Sequence, residues 1–211
     1  MKNPSLLSFL FSVFIFCLFL QTGLCQGAGD DNFRAIELYN LAVDKASAGE
    51  FAMAVQLCDQ ALEIQPNFTL ALITLTGACL ELDEIEKAEK SVQRALQLDP
   101  DDPSVLTAAA SVSLRRGDDI LAISYADRAL QSDPSLMEAW IIKGTAHGNR
   151  GEYDKEKEAS EKALNISPGN ELATSNRDYA EKMMGQTRQS PPGVWLFFPA
   201  MGVSLMIIRR R

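Results

Sequence analysis

The chain is 211 residues long, 46% apolar, and carries a formal charge of −8 at neutral pH. All 28 acidic residues fall between Asp30 and Arg188 against 16 of the 20 basic ones, so that stretch has a net charge of −12 and lacks the cationic surface that nucleic-acid phosphates require. Four cysteines without a CxxC pair and a single histidine leave zinc coordination and thioredoxin-like chemistry without a motif, and nothing calls for a cofactor.

At the N-terminus Lys2 is followed by an apolar run from Leu6 to Leu20 and then by small and polar residues. A basic start, an apolar stretch and small residues at Gly23/Cys25 or Cys25/Gly27 have the make-up of a secretory signal peptide over residues 1–25. An uncleaved anchor running on through Leu24 is the alternative, and either reading exports the middle of the chain. A lipid-modified Cys25 is a third reading, although Thr22, Gly23 and Leu24 fit the lipoprotein pattern poorly.

The middle is periodic. ALEIQP ends at Pro66, ALQLDP at Pro100, ALQSDP at Pro134 and ALNISP at Pro168, a constant step of 34 residues that marks a repeat protein. The units are 35–68, 69–102, 103–136 and 137–170. Each reads as two antiparallel helices with a turn at Gly49, Asp83, Gly117 or Gly151 and a proline-containing turn into the next unit. The first helices carry a large apolar residue (Leu38, Leu72, Leu106, Trp140) and a small one four places on (Ala42, Thr76, Ala110, Gly144). In the second helices Ala54, Cys58 and Ala61, then Ala88, Val92 and Ala95, then Ala122, Ala126 and Ala129 share one face and allow close helix approach.

These residues, at this period, resemble the tetratricopeptide repeat family over about two thirds of the chain. The fold expected is all-α: four hairpins in a right-handed α-solenoid, closed by a capping helix over residues 171–185. A lone hairpin cannot cover its own apolar faces, and stacked neighbours supply the missing surface. Leu172, Tyr179 and Met183 are expected to face the stack, with Arg177, Asp178, Glu181 and Lys182 toward water. Three residues depart from the pattern: Glu156 replaces a small residue in the last second helix, and Ala109 and Lys143 replace leucines. A loosened last unit is the expectation.

The resemblance places a binding surface on the concave side, along the first helices. Projected onto this chain it comprises Tyr39, Asn40 and Val43, then Ile73, Thr74 and Gly77, then Thr107, Ala108 and Ser111, then Ile141, Ile142 and Thr145. Any one of the aliphatics is open to a second reading as packing between helices. Relatives that hold the acidic tail of cytosolic chaperones use lysine, asparagine and arginine in the groove. Tyr39, Val43, Thr74, Ser104 and Ala108 at those places disfavour that ligand. A peptide or helix held by apolar contacts and backbone hydrogen bonds is expected instead.

Other chemistry finds little support. Acidic clusters such as Glu81 to Lys90, Asp101-Asp102 and Asp118-Asp119 sit at helix starts, where capping and the helix dipole favour carboxylates, and they lack a calcium-loop pattern. His147 has no nucleophile motif, and Gly144, Gly148 and Gly151 do not form a phosphate loop. Cys58 and Cys79 read as buried small hydrophobes, with a disulfide open to geometry. Asn67 and Asn165 open glycosylation sequons, the second weakened by Pro168.

After a polar linker at 186–193 comes a mostly apolar segment, 194–208, and then Arg209, Arg210 and Arg211. Fifteen residues span roughly 22 Å against the roughly 30 Å of a bilayer core, so a membrane-inserted tail needs help from flanking residues and snorkelling arginines. The terminal arginines place the C-terminus in the cytoplasm and the repeats outside, as does Lys2 at the other end. The proline-glycine pair, apolar stretch and arginine cluster also resemble, weakly, the processed sorting tails of some bacteria and archaea. The expectation is a membrane-anchored, extracytoplasmic, non-catalytic scaffold for an envelope protein. A cytosol-facing, tail-anchored organelle adaptor and an enzyme are the competing readings.

Overall fold

A computed structural model of the chain describes residues 31–189, and side chains through 186. The segments expected to be an export signal or anchor (1–25) and a membrane tail (194–208), the arginine cluster and half of the linker (190–193) lie outside the described residues. Those described form α-helices joined by short turns, with no strand among them. Helix α1 covers 31–47. It is followed by α2 (Phe51–Ile64), α3 (Thr69–Glu81), α4 (Ile85–Leu98), α5 (Pro103–Arg115), α6 (Asp119–Ser132), α7 (Met137–Asn149), α8 (Tyr153–Ile166) and α9 (Glu171–Gln189). None of these helices is long and apolar enough to cross a membrane.

From α2 onward each helix packs on its successor, Ala42 of α1 shares a core with Ala54 and Cys58 of α2, and α3, α5, α7 and α9 also touch one another in sequence, which makes the array an α-solenoid of four hairpins and a final helix. The 34-residue pattern supplies the reason. Ala42, Ala54, Cys58 and Ala61 are fully buried, as are Ala88 and Ala95, and Ala122, Ala126 and Ala129. Small side chains at those crossings bring the backbones together, and Leu72 and Leu106 fill the space between units. Full burial of one such leucine stabilises by about 1.5–3 kcal/mol.

The turns inside the hairpins repeat one geometry. Gly49, Gly117 and Gly151 have φ between 74° and 78°, and Asp83 takes the same left-handed conformation at 60°. The next residue, Glu50, Glu84, Asp118 or Glu152, returns its amide to the carbonyl of Lys45, Cys79, Ser113 or His147 at 2.8–2.9 Å, which closes the preceding helix. That same acid is the N-cap residue of α2, α4, α6 or α8 and complements the dipole of the helix it begins.

Two cross-unit ties recur with the period. Arg94 donates to the carbonyl of Pro66 at 2.6 Å, and Arg128 to that of Pro100 at 2.9 Å. Lys162 stands at the equivalent place in the last unit, and there the Pro134 carbonyl accepts the Trp140 indole N–H at 2.9 Å. Lys143, one of the departures from the family pattern, pairs with Asp127 at 2.7 Å and lies over the Trp140 ring.

The end of the solenoid differs from expectation in two respects. Helix α9 runs on to Gln189, through the first residues assigned to the linker, because Gly185 weakens a helix without stopping it and the first proline is Pro191. Leu172 and Tyr179 are exposed, whereas Ala173 and Ala180 are fully buried. The repeat register accounts for this. Helix α9 takes the place of a fifth first helix, which puts Leu172 in line with Ser104 and Glu138, and Tyr179 in line with Gly77 and Ser111. Tyr179 rests edge-on against Tyr153, with ring centroids 6.0 Å apart.

Candidate functional site

A groove of about 450 Å³ runs along α3, α5 and α7. Its apolar lining comes from Ile73, Leu80, Ala108, Leu114, Leu136 and Ile142, and its polar lining includes Thr76, Ser104, Thr107 and Ser111. Helical spacing dictates this set: Ile73, Gly77 and Leu80 lie four and three residues apart, as do Ser104, Thr107 or Ala108, Ser111 and Leu114 to within one. The hydroxyls of Thr76, Thr107 and Ser111 are spent on backbone carbonyls one turn earlier, at 2.8, 2.8 and 3.2 Å. Their hydroxyl protons are therefore already committed and are not free for a ligand. Gly77 has nothing within 4 Å of where a Cβ would stand, so the groove is open above the middle of α3.

Of the residues projected from the sequence, Ile73, Thr107 and Ser111 line this groove together with Gly77, Ala108 and Ile142. Tyr39 is half-buried against Phe68, ring centroids 4.9 Å apart, within the first unit. Asn40 is exposed, and Val43 and Thr74 are half-buried; none of the three lines the groove. At the far end α9 covers two of the projected residues. Ile141 is buried among Ala163 and Ala173, and Thr145 donates to the Ile141 carbonyl at 3.0 Å while accepting from Asn176 at 2.9 Å.

Ser104 and Glu138, one turn earlier on their helices, and Leu80, Leu114 and Arg115, one turn later, complete the lining. Extending the i, i+3, i+7 stripe by one turn each way finds them in the sequence. Three charged side chains line the groove: Glu81, Arg115 and Glu138. Arg115 is paired with Asp83 at 3.3 Å. Glu138 is open to solvent at its edge but has the walls of the concavity around it, and this desolvation raises its carboxyl pKa above the ordinary value.

The other candidate chemistry resolves into structure. His147 is buried, with Nδ1 3.0 Å from the Glu152 carboxylate, and burial lowers its pKa. Lys45 stands at the same place in the first unit and meets Glu50 in the same way at 3.0 Å, so this is a turn contact that recurs with the repeat. Lys155, Arg150 and His147 together hold the Glu152 pKa down to about 2. Cys58 and Cys79 are buried free thiols, their pKa values pushed up by burial to about 12 and about 11, which makes them poor nucleophiles. No cluster of three metal-ligating side chains occurs among the described residues.

In the last unit, Glu156 lies at the position of Ala54, Ala88 and Ala122 and is buried, with Oε2 lacking any hydrogen-bond partner. Gly148, on the facing helix, stands where the second and third units have Leu80 and Leu114. A Cβ on Gly148 would come within 2.5 Å of the Glu156 carboxyl group. The large and small partners have changed sides, so the carboxyl occupies volume that a leucine fills elsewhere. Desolvation raises the Glu156 pKa.

Models of the tetratricopeptide repeat match residues 45–112 and 138–170. Among curated proteins, the chain is 33% identical over 85 residues to the CTR9 homolog of Arabidopsis thaliana, covering 40% of this chain and 8% of that protein. It is 31% identical over 113 residues to a pentatricopeptide repeat-containing protein of the same plant, covering 52% of this chain and 12% of the other. The chain thus spans about a tenth of the length of these relatives. Among solved structures, a MamA protein superposes with a TM-score of 0.58 at 22% identity, over 72% of this chain and 83% of its own. YrrB, described as a tetratricopeptide protein with an unusual peptide-binding site, does so at 0.56 and 19%, over 78% and 84%. At such identities the likeness is one of fold.

Proposed function

We propose that this chain is a membrane-anchored tetratricopeptide scaffold whose repeats lie outside the cytoplasm and hold a segment of another envelope protein in the concave groove. The observation that carries the binding role is the groove itself: an open, mainly apolar channel across three successive repeats, whose hydroxyls are largely committed to their own helices. Such a surface suits a partner that contributes apolar side chains. The anchoring role rests on the apolar runs Leu6 to Leu20 and 194–208 and on the basic residues outside them.

Two measurements test the parts separately. For binding, Gly77→Phe fills the groove from a site with free space and improves helix propensity, so the fold is retained. Affinity capture with this variant is expected to lose at least tenfold of a partner that the parent retains; undiminished capture places binding elsewhere. For topology, protease added to intact cells is expected to digest the repeats, and protection until lysis contradicts export.

A further inference from the structure

The groove has charged side chains at its ends as well as an apolar lining. Arg115 is neutralised by Asp83, while Glu81 and Glu138 have no hydrogen-bond or ion-pair partner among the described residues. Glu138 is the second residue of α7 and Glu81 the last of α3, so unpaired carboxylates stand at both ends of the lining helices, with Ile73, Leu80, Leu114 and Ile142 between them. Glu138, with the walls of the concavity around it, has given up part of its hydration, and a cation brought in by a ligand compensates that loss at short range. An acidic ligand would add like charge to the same site, and the net charge of −12 over 30–188 strengthens that discrimination at long range.

We infer that the occupant of the groove is a protein segment that combines apolar side chains with a lysine or arginine, the base pairing with Glu138. This rests on the groove being the docking surface, and the experiment separates the two ideas. The probes are two fluorescein-labelled 16-residue peptides with leucine at every third or fourth position, identical except that one has a lysine at two central positions and the other a glutamate. Each is titrated by anisotropy into the full-length protein, its Gly77→Phe variant, and its Glu138→Gln and Glu138→Lys variants.

The expected result is at least tenfold tighter binding of the lysine peptide by the parent. The gap should narrow to about threefold or less in Glu138→Gln and reverse in Glu138→Lys. Gly77→Phe should abolish binding of both peptides. Equal affinity of the two peptides for the parent, with Gly77→Phe still blocking them, overturns the charge preference and leaves the groove intact. Binding that ignores Gly77→Phe, or no binding of either peptide, overturns the groove reading and this inference with it. A lysine preference unchanged by both Glu138 variants overturns the assignment to Glu138.

Discussion

Glu156 and Gly148 show how one residue exchange is absorbed by a repeat. A buried carboxyl with an unpaired oxygen costs roughly 1–3 kcal/mol, more when ionised. Its folded pKa is raised above 4.5, so the neutral form folds without the ionic penalty at acid pH, and stability is lost as pH rises through the raised value. Glu156→Gln is therefore expected to raise stability by about 1 kcal/mol at neutral pH, with the gain vanishing near pH 4, as read from urea melts across that range. A constant gain at both pH values means that burial of the charge is not its cause. Gly148→Ala is expected to destabilise the parent, where the new methyl meets the carboxyl, and to stabilise a Glu156→Ala background by up to about 1 kcal/mol through helix propensity. Half of this exchange is plain in the sequence, since Glu156 interrupts a row of alanines. The other half is hidden because Gly148 looks like an ordinary turn glycine until the two helices are placed face to face.

At the scale of the helix, α9 closes the stack by offering two alanines rather than its larger side chains. Ala173 and Ala180 are fully buried, and Asn176 reaches Thr145 at 2.9 Å. Ala180→Glu should lift this helix and uncover α8, with a loss of about 2–4 kcal/mol, in the range of buried-charge substitutions. Hydrogen exchange should then show lost protection in α7 and α8 while α3 to α5 stay protected; uniform loss along the chain would mean that the units do not behave as separable neighbours. Amphipathic spacing alone makes Leu172 and Tyr179 attractive as core residues. Repeat register corrects this by assigning them to the places of Glu138 and Ser111, on the concave side. The helix boundaries and turns, by contrast, are legible directly, because Gly49, Asp83, Gly117 and Gly151 each mark a left-handed turn one step before an acidic N-cap.

For the whole molecule, the 34-residue period determines which surfaces are shared between units and which remain free. The free concave surface is where sequence reading was least complete. It located Ile73, Thr107 and Ser111, but Ile141 and Thr145 are covered by α9, a long-range packing event that no local pattern encodes. Glu138 escaped notice because an acid near a helix start has an ordinary explanation in the dipole, and only its place in the lining of the groove gives it a second one. The central claim is that this groove holds another protein. Site-specific incorporation of a photo-crosslinking phenylalanine at Ser111, inside the groove, and at Ser124, on the outer helix α6, tests it in living cells. The account predicts a discrete adduct from position 111, absent from 124 and absent when Gly77→Phe is added. Adducts from 124 alone, or a 111 adduct indifferent to Gly77→Phe, contradict it.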